Sequence, residues 1–319
     1  MTPPAPRGVV TLGETMALLW PPEVGLLRHS STMRLGIAGA ESNLAIGVVR
    51  LGVPATWLGR VGDDEFGRLV TMTLRGQGVG TTAVVDDGAA TGLMVKERRT
   101  ARVTRVLYYR SGSAGSRLCP ADLDQDVITA GSVLHVTGIT PALSQSARET
   151  VFAAVDIARS AGLAVSVDLN YRSTLWSPAE ARPVLRDLVR RADIVLATEE
   201  EAGLVVDGED ARTQISGLSG LGPGQVLLKQ GGAGSTSVID GHLHRTPARV
   251  VDVVDSVGAG DAFGAGYLSG LCRGLPAAER LELATAAGAF AVTVPGDWEG
   301  LPSTADLALL DADQDVVVR

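Results

Sequence analysis

Short apolar runs and amphipathic stretches alternate along the chain from Ser132 onward. The apolar runs predict strands at 133–136, 164–168, 194–197 and 226–229, and the amphipathic stretches predict helices at 144–160, 178–191 and 281–294. Neighbouring parallel strands need a crossover, usually a helix, so this alternation indicates repeated βαβ units. We therefore expect a doubly wound α/β fold with a mostly parallel sheet that is flanked by helices.

Strand-like segments in the N-terminal third differ because no helix separates the members of each pair. They cover 16–20 and 33–37, and then 92–96 and 103–110. Such pairs are typical of antiparallel strands, in a small separate sheet or in an edge extension of the main sheet. Beside a nucleotide-binding fold, a small sheet can act as a lid that excludes water. We predict a single domain, 1–319, with a discontinuous lid at approximately 15–36 and 92–111.

Composition and charge argue against several classes of function. The 319 residues carry a net charge of −8 and no basic stripe, which disfavours nucleic acid as a partner. No apolar run reaches the roughly 18 residues of a membrane span, and residues 1–7 lack the apolar stretch of a signal peptide. Only Cys119 and Cys272 occur, so we expect a reducing, cytoplasmic setting and no membrane association.

A glycine-rich segment near the C-terminus, Asp255 to Asp261, reads D-S-V-G-A-G-D. We expect an apolar strand directly before it and a helical pattern from Ala262 after it. Glycines let backbone N–H groups approach an anion at a helix N-terminus, which suits a transferring phosphoryl group. Asp261 would repel phosphate unless it accepts the proton of the attacking hydroxyl. The alternative is that Asp261 caps the helix and the glycines only shape a turn.

The chain has two asparagines, and each lies beside a predicted element boundary. Asn43 follows a glycine-rich turn, where it caps a helix or offers its amide to a polyol. Asn170 comes directly after a buried strand, between Asp168 and Arg172. Because ligands bind at the carboxyl ends of strands in open parallel sheets, this position favours a functional role.

Tyr108 and Arg110 share one face of a predicted strand, and Tyr109 lies on the other. A guanidinium beside a phenol suits a sugar that bears a carboxylate, since the planar fork binds both carboxylate oxygens. Alternatively, this is a solvated edge strand whose arginine discourages aggregation.

Lys96 and Lys229 are the only lysines among 28 basic residues, and neither is followed by the Ser or Thr of a Walker A loop. Phosphate binding must therefore use another fold. Lys229 to Gly234 reads K-Q-G-G-A-G between two apolar runs, so its glycines lie under a nucleotide or form a hairpin turn. Of the acids at 199–201, one can hold hydrated Mg²⁺, or all can stabilise a helix dipole.

Taken together, these segments resemble the ribokinase-like, or PfkB, carbohydrate kinases over essentially the whole chain. Within that family the resemblance is strongest to the 2-keto-3-deoxygluconate kinases. It rests on the glycine-rich segment at 255–261, on A-E-S-N at 40–43, on Y-Y-R at 108–110, on N-Y-R at 170–172 and on G-D-W-E-G at 296–300.

The resemblance implies specific roles. Asp261 is the general base, and the N–H groups of Gly258, Ala259 and Gly260 form an anion hole. The residues that would hold the sugar acid are Gly39, Tyr108, Arg110 and Arg172, with Asp297 near the same pocket, and we add Asn43, Met94 and Asn170 as further candidate substrate-binding positions. The ATP contacts are Lys229, Gly231, Gly234, Ser256, Gly258, Gly260 and Gly288, and Glu201 is the Mg²⁺-linked acid.

Four positions depart from the family pattern. Ala38 replaces the first glycine of a glycine pair, Ser256 replaces a threonine, and Thr198 replaces the asparagine that precedes the Mg²⁺-linked glutamate. Met94 stands where the keto-deoxygluconate kinases are expected to have a tyrosine, which removes a sugar contact.

The expected activity is ATP-dependent phosphorylation of the terminal hydroxyl of 2-keto-3-deoxygluconate. The alternatives are a family member that uses a neutral sugar, such as a fructokinase or ribokinase, and a non-catalytic regulator that binds a sugar acid. The apolar outer face of a lid sheet often pairs with its copy in another subunit, so we also expect a homo-oligomer of even number.

Overall fold

Two β-sheets organise the chain, of which the computed structural model describes residues 7–100 and 103–311. The opening residues 1–6, where the sequence predicts a tail, lie outside this part. The strands are β1 (Val9–Leu12), β2 (Met16–Trp20), β3 (Arg34–Ala38), β4 (Ala55–Gly62), β5 (Gly80–Asp86), β6 (Leu93–Arg98), β7 (Thr104–Tyr109), β8 (Val133–Thr137), β9 (Ala164–Asp168), β10 (Ile194–Thr198), β11 (Gln225–Lys229), β12 (Ser235–Ile239) and β13 (His242–Thr246).

Ten helices accompany these strands in the described part of the chain, and the last two of them follow β13. The helices are α1 (Ala40–Arg50), α2 (Glu65–Gly76), α3 (Gln125–Ala130), α4 (Thr140–Leu143), α5 (Gln145–Ser160), α6 (Pro178–Arg191), α7 (Glu199–Val205), α8 (Ala211–Ser219), α9 (Ala259–Cys272) and α10 (Ala277–Ala291). Short 3₁₀ turns lie at Leu27–His29, Gly115–Arg117, Pro120–Asp122, Gly231–Ala233 and Asp306–Asp311.

The main sheet of the described part has nine strands in the order β13-β12-β11-β10-β9-β8-β1-β4-β5. All neighbours from β11 to β5 are parallel, and only the hairpin strands β12 and β13 at one edge run antiparallel. Apolar side chains cover both faces: Val195 of β10 belongs to one hydrophobic layer and Leu196 to the other. This is the predicted doubly wound fold.

A second sheet has the order β3-β2-β6-β7. The pairs β2–β3 and β6–β7 are antiparallel, and β2 pairs parallel with β6. The sequence therefore identified both the separate small sheet and the direction of each pair.

One predicted strand is wrong. The apolar residues before Asp255 form no strand, and the chain from Pro247 to Gly258 is irregular. Val250 is fully exposed and Val253 is 67% exposed. Both line the large cavity described below, so this apolar run serves a ligand-facing surface and not the core. The predicted helix 281–294 is also displaced, since α10 covers Ala277–Ala291.

Among the described residues, no helix is long and apolar enough to span a bilayer.

Candidate active site

A cavity of about 850 Å³ lies between the small sheet and the carboxyl ends of the parallel strands. The last residues of β10 and β11, Thr198 and Lys229, line its wall, as does Asn170 just after β9, and Met94 comes from the small sheet. This is the edge at which open α/β sheets bind ligands. Every site residue predicted from the sequence lines this cavity, although those residues come from segments as distant as 39 and 297.

The N-terminus of α9 faces the cavity. Gly258 caps the helix with φ +78°, and a Cβ atom at this position would lie 2.3 Å from the Asp297 carbonyl oxygen. Only glycine fits such a turn. The N–H groups of the first helical turn have no intrahelical acceptor, so those of Ala259 and Gly260 are free to bind an anion.

Asp261 lies in this first turn of α9, and the side chain of Asn43 donates a hydrogen bond of 2.9 Å from Nδ2 to Asp261 Oδ2. Burial raises the pKa of Asp261 to about 7, and the nearby Asp168 carboxylate acts in the same direction. The Asn43 hydrogen bond and the charges of Lys229 and Arg172 oppose that rise. Asp261 is therefore a carboxyl group that exchanges its proton near neutral pH.

The capping interpretation of Asn43 is wrong. Gly39 is the N-cap of α1, and Asn43 lies inside the helix with its amide directed at Asp261. Asn43 Oδ1 is buried without a hydrogen-bond partner. Asn170 has φ +35°, which is rare for a residue other than glycine and places a strained backbone at the cavity.

The side chain of Lys229 lies between the glycine turn at the N-terminus of α9 and the end of β9. Its ammonium is 2.6 Å from Asp168 Oδ2, and both side chains are largely buried. A Cβ atom on Gly260 would lie 3.4 Å from Lys229 Nζ, so the ammonium is adjacent to the helix N-terminus. Burial acts to lower the pKa of Lys229, but the carboxylates of Asp168 and Glu201 outweigh it and hold that pKa above its usual range.

Arg110 and Tyr108 both line the cavity, whereas Tyr109 points away and is 62% exposed. Arg110 already has a partner: its Nε and Nη2 atoms lie 2.7 and 2.5 Å from Glu14 Oε2. The side chain of Glu14 is only 1% exposed, and the Ser113 hydroxyl donates to its other oxygen. Glu14 was not identified from the sequence, since a lone acid between two strands gives no pattern.

Arg172 differs from Arg110 because it is exposed and makes no ion pair with any described residue. Its guanidinium donates only to the Tyr171 carbonyl oxygen, at 3.2 Å. The two arginines are thus not equivalent: one is neutralised inside the wall, and the other is available to an anion.

Lys96 and Asp297 form a buried ion pair on the same side of the cavity as Met94. Their side chains are 8% and 6% exposed. Burial raises the pKa of Asp297, and Lys96 acts against that rise. In the sequence Lys96 stands out only as one of two lysines, and this scarcity is the signal that could have found it.

Four residues that the sequence assigns to nucleotide binding, Gly231, Gly234, Ser256 and Gly288, also line the cavity. Gly234 has φ +94°, and a Cβ atom there would lie 2.0 Å from the Thr246 carbonyl oxygen. The glycines after Lys229 therefore form the turn between β11 and β12 and also border the cavity, so the two interpretations of this segment are compatible.

Glu201 lines the cavity, but its two carboxylate oxygens accept hydrogen bonds from the N–H groups of Tyr171 and Thr198. With Thr198 it forms a capping box at the start of α7. Among the described residues, no group of three or more His, Cys, Asp or Glu side chains is arranged to hold a metal ion. These residues suit a hydrated Mg²⁺ that arrives with a nucleotide better than a closed protein site.

The chain matches the model of the pfkB family carbohydrate kinases over residues 7–304. It belongs to this family. It is 38% identical to a 2-dehydro-3-deoxygalactonokinase of Haloferax volcanii, covering 91% of this chain and 92% of the relative. It is 36% identical to a 2-dehydro-3-deoxygluconokinase of Bacillus subtilis, covering 94% of each.

Solved structures have the same fold. A 2-dehydro-3-deoxygluconokinase of Thermotoga maritima aligns with a TM-score of 0.86 at 27% identity, covering 96% of this chain and all of the other. A putative ribokinase II of E. coli in complex with ATP and Mg²⁺ aligns with a TM-score of 0.89 at 25% identity, covering 95% and 98% of the two chains. This PfkB protein is therefore a sugar kinase, a phosphotransferase that acts on a hydroxyl group.

Proposed function

We propose that this PfkB kinase transfers the γ-phosphoryl group of ATP to the terminal hydroxyl of 2-keto-3-deoxygluconate, giving 2-keto-3-deoxy-6-phosphogluconate. One observation carries the proposal: Asp261, whose pKa is about 7, lies in the same cavity as Arg172, which makes no ion pair with any described residue. The first suits removal of a hydroxyl proton, and the second suits a carboxylate on the acceptor. The names of the relatives described above agree with this substrate class.

In the proposed reaction, Asp261 accepts the proton of the terminal hydroxyl while that oxygen bonds to the γ-phosphorus. The bond from the γ-phosphorus to the bridging oxygen breaks, and ADP leaves with the electron pair. The N–H groups of Gly258, Ala259 and Gly260, together with the Lys229 ammonium, stabilise the charge on the transferring group. Most of the acceleration comes from positioning and charge stabilisation, and the base contributes on the order of 10²–10⁴-fold.

The nucleotide is proposed to lie along Lys229, Gly231, Gly234, Ser256 and Gly288, all of which line the cavity. Mg²⁺ bound to the phosphate chain would supply further charge neutralisation, and Glu201, whose carboxylate accepts the N–H groups of Tyr171 and Thr198, would bind it through water ligands.

The acceptor is proposed to bind between the small sheet and α1. Arg172 binds the carboxylate, and Arg110, held by Glu14, donates from the opposite wall. The remaining proposed contacts are Gly39, Asn43, Met94, Tyr108, Asn170 and Asp297. In this arrangement the small sheet is the lid, because its inner face forms part of the acceptor wall.

The outer face of the small sheet is proposed to pair with its copy in a homodimer. By register, Leu35, Leu19, Val95 and Leu107 form one continuous apolar row across all four strands. Leu35 is 51% and Leu107 is 36% exposed in the single chain. A row of this kind is a common site of subunit association.

A kinase for a neutral sugar is the second candidate. The Glu14–Arg110 ion pair favours this candidate, because Glu14 neutralises one of the two arginines that were expected to bind the carboxylate of a sugar acid. A relative that is 37% identical, from Klebsiella pneumoniae, is named fructokinase.

An ATP-consumption assay with Mg²⁺ tests these alternatives. The acceptors are 2-keto-3-deoxygluconate, 2-keto-3-deoxygalactonate, gluconate, fructose, ribose and adenosine. We expect turnover with the keto-deoxy acids. Turnover only on neutral acceptors would exclude the proposed substrate but keep Asp261 as base, and binding without any turnover would favour a regulator.

A further inference from the structure

The ion pair between Lys96 and Asp297 has unused hydrogen-bonding capacity. An ammonium has three N–H donors, and in the described part of the chain Lys96 donates only to Asp297 Oδ1. Asp297 Oδ2 accepts no hydrogen bond from any described residue. Because this pair faces the cavity with two unused donors and one unused acceptor among the described residues, it is suited to binding the polar groups of a ligand.

The pair also spans two parts of the cavity wall. Lys96 lies on β6, and the strand alternation places it on the same face as Met94, toward the cavity. Asp297 lies on the turn after α10, and its carbonyl oxygen occupies the space that a Cβ atom of Gly258 would need. The backbone of Asp297 therefore packs against the glycine turn at the N-terminus of α9.

The strand register of the small sheet shows that this ion pair lies some distance from Arg110. Leu93 pairs with Tyr109, so Arg110 lies opposite residue 92, and Lys96 is four residues further along β6. Four residues correspond to about 13 Å of strand. Lys96 and Asp297 therefore face the part of an acceptor near its phosphorylated end, and Arg110 faces the far end.

We propose that Lys96 is a specificity-determining residue of the acceptor site, and that with Asp297 it binds two hydroxyl groups on adjacent carbons next to the phosphorylated terminus. One hydroxyl donates to Asp297 Oδ2, and the neighbouring hydroxyl accepts from Lys96 Nζ. Because the two charged groups are in contact, they fit one relative configuration of the two hydroxyls better than the other. In a 2-keto-3-deoxy six-carbon acid these are the hydroxyls at C4 and C5, so the pair distinguishes the erythro from the threo compound.

This inference rests on the proposed function for the choice of sugar acids, but its test does not. The assay uses two pairs of acceptors that differ only at C4: 2-keto-3-deoxygluconate with 2-keto-3-deoxygalactonate, and fructose with tagatose. In the open-chain form, in which the hydroxyls at C4, C5 and C6 are all free, the first member of each pair is erythro and the second is threo at C4 and C5. Wild-type turnover of 2-keto-3-deoxygluconate supports the proposed function, and turnover only of the ketoses refutes it while the second pair still tests Lys96.

For Lys96→Met, we expect at least a tenfold fall in kcat/KM for the preferred epimer, a ratio between epimers that moves toward one, and an unchanged KM for ATP. Thermal unfolding monitors the fold, since Asp297 loses its partner in this variant. The double variant Lys96→Met/Asp297→Asn removes both charges and should lose the same discrimination without a buried unpaired carboxylate.

Glu97→Gln is the matched control, because Glu97 is the next residue of the same strand, is equally buried and does not line the cavity. It should keep the wild-type epimer ratio. If Lys96→Met lowers stability and lowers kcat/KM for both epimers by the same factor, the ion pair only holds the small sheet against the turn after α10, and the proposal is wrong. A wild-type protein that phosphorylates none of the four acceptors would overturn both this inference and the proposed function.

Discussion

Replacing Asp261 by asparagine should lower activity and raise stability, and the stability gain should depend on pH. The pKa of Asp261 is about 7 in the folded chain, against 3.8 for an unperturbed aspartate. Below pH 3.8 the carboxyl group is neutral in both states and contributes nothing. Between these two values the unfolded chain ionises first, so the wild-type protein loses stability progressively as pH rises, and above pH 7 the loss is complete.

The magnitude follows from the difference between the two pKa values. Each pKa unit corresponds to about 1.4 kcal/mol, so the full cost of Asp261 above pH 7 is about 4 kcal/mol. Between pH 5 and pH 8 the free energy of unfolding of Asp261→Asn should therefore rise by roughly 3 kcal/mol relative to that of the wild type. Asparagine has nearly the same shape as aspartate and can still accept the hydrogen bond from Asn43, so packing contributes little to this difference.

Urea unfolding of both proteins at pH 5, 6, 7 and 8 measures the gain, and phosphorylation assays over the same range measure activity. We expect wild-type kcat/KM to fall below pH 7 and the variant to lose on the order of 10²–10⁴-fold at pH 8. Asp87→Asn is the control, since Asp87 is exposed and lies outside the cavity. A stability difference that stays constant with pH would refute the titration argument, and near-normal turnover of the variant would remove Asp261 from the role of base.

Four further variants test other parts of the site and surface. Arg172→Lys should raise KM for a sugar acid several-fold with little change in KM for ATP, because the ammonium keeps the charge but loses the planar fork; equal KM values would place the carboxylate elsewhere. Gly258→Ala should lower both kcat and the melting temperature, since the added Cβ meets the Asp297 carbonyl oxygen at 2.3 Å, and normal values would contradict this close approach of the two turns. Lys229→Met should lower kcat and raise KM for ATP by at least tenfold, as measured by steady-state kinetics, and an unchanged enzyme would exclude the ammonium from phosphate binding. Leu107→Glu should convert a homodimer to monomer in sedimentation experiments, whereas an unchanged mass would exclude the outer face of the small sheet as the interface.

The fold was largely predictable from the sequence, because its signal is local. Strand 164–168 and helix 178–191 have the bounds that the sequence predicted. Helix α6 has a capping box at Ser177 and a proline in its first turn, and these signals lie within a few residues of each other. The strand predicted before Asp255 is absent for a physical reason. An apolar run indicates apolar surface but not its location, and Val250 and Val253 line the open cavity instead of packing in the core.

The sequence predicted residues that all line one cavity, but it did not predict how their side chains pair. Glycines and polar residues at element ends indicated Asp261 and Arg172, and the family resemblance supplied most of the others. The ion pairs that tune the site join residues that are 61 to 201 positions apart, such as Lys229 with Asp168, Arg110 with Glu14 and Lys96 with Asp297. A single sequence carries no local signal for contacts over such distances, so the electrostatic state of Arg110 required the structure.

The location of the two lysines has a practical consequence for chemical labelling. In a chain with 26 arginines, both lysine amines, Lys96 and Lys229, line the cavity. Apart from the terminal amine, the amines that acylating reagents can modify are therefore both in this cavity, one at the proposed acceptor end and one at the proposed nucleotide end. Mass spectrometry of such adducts, with and without each ligand, can then follow the occupancy of the two ends separately, whereas coupling this protein to a surface through its lysines would block the site itself.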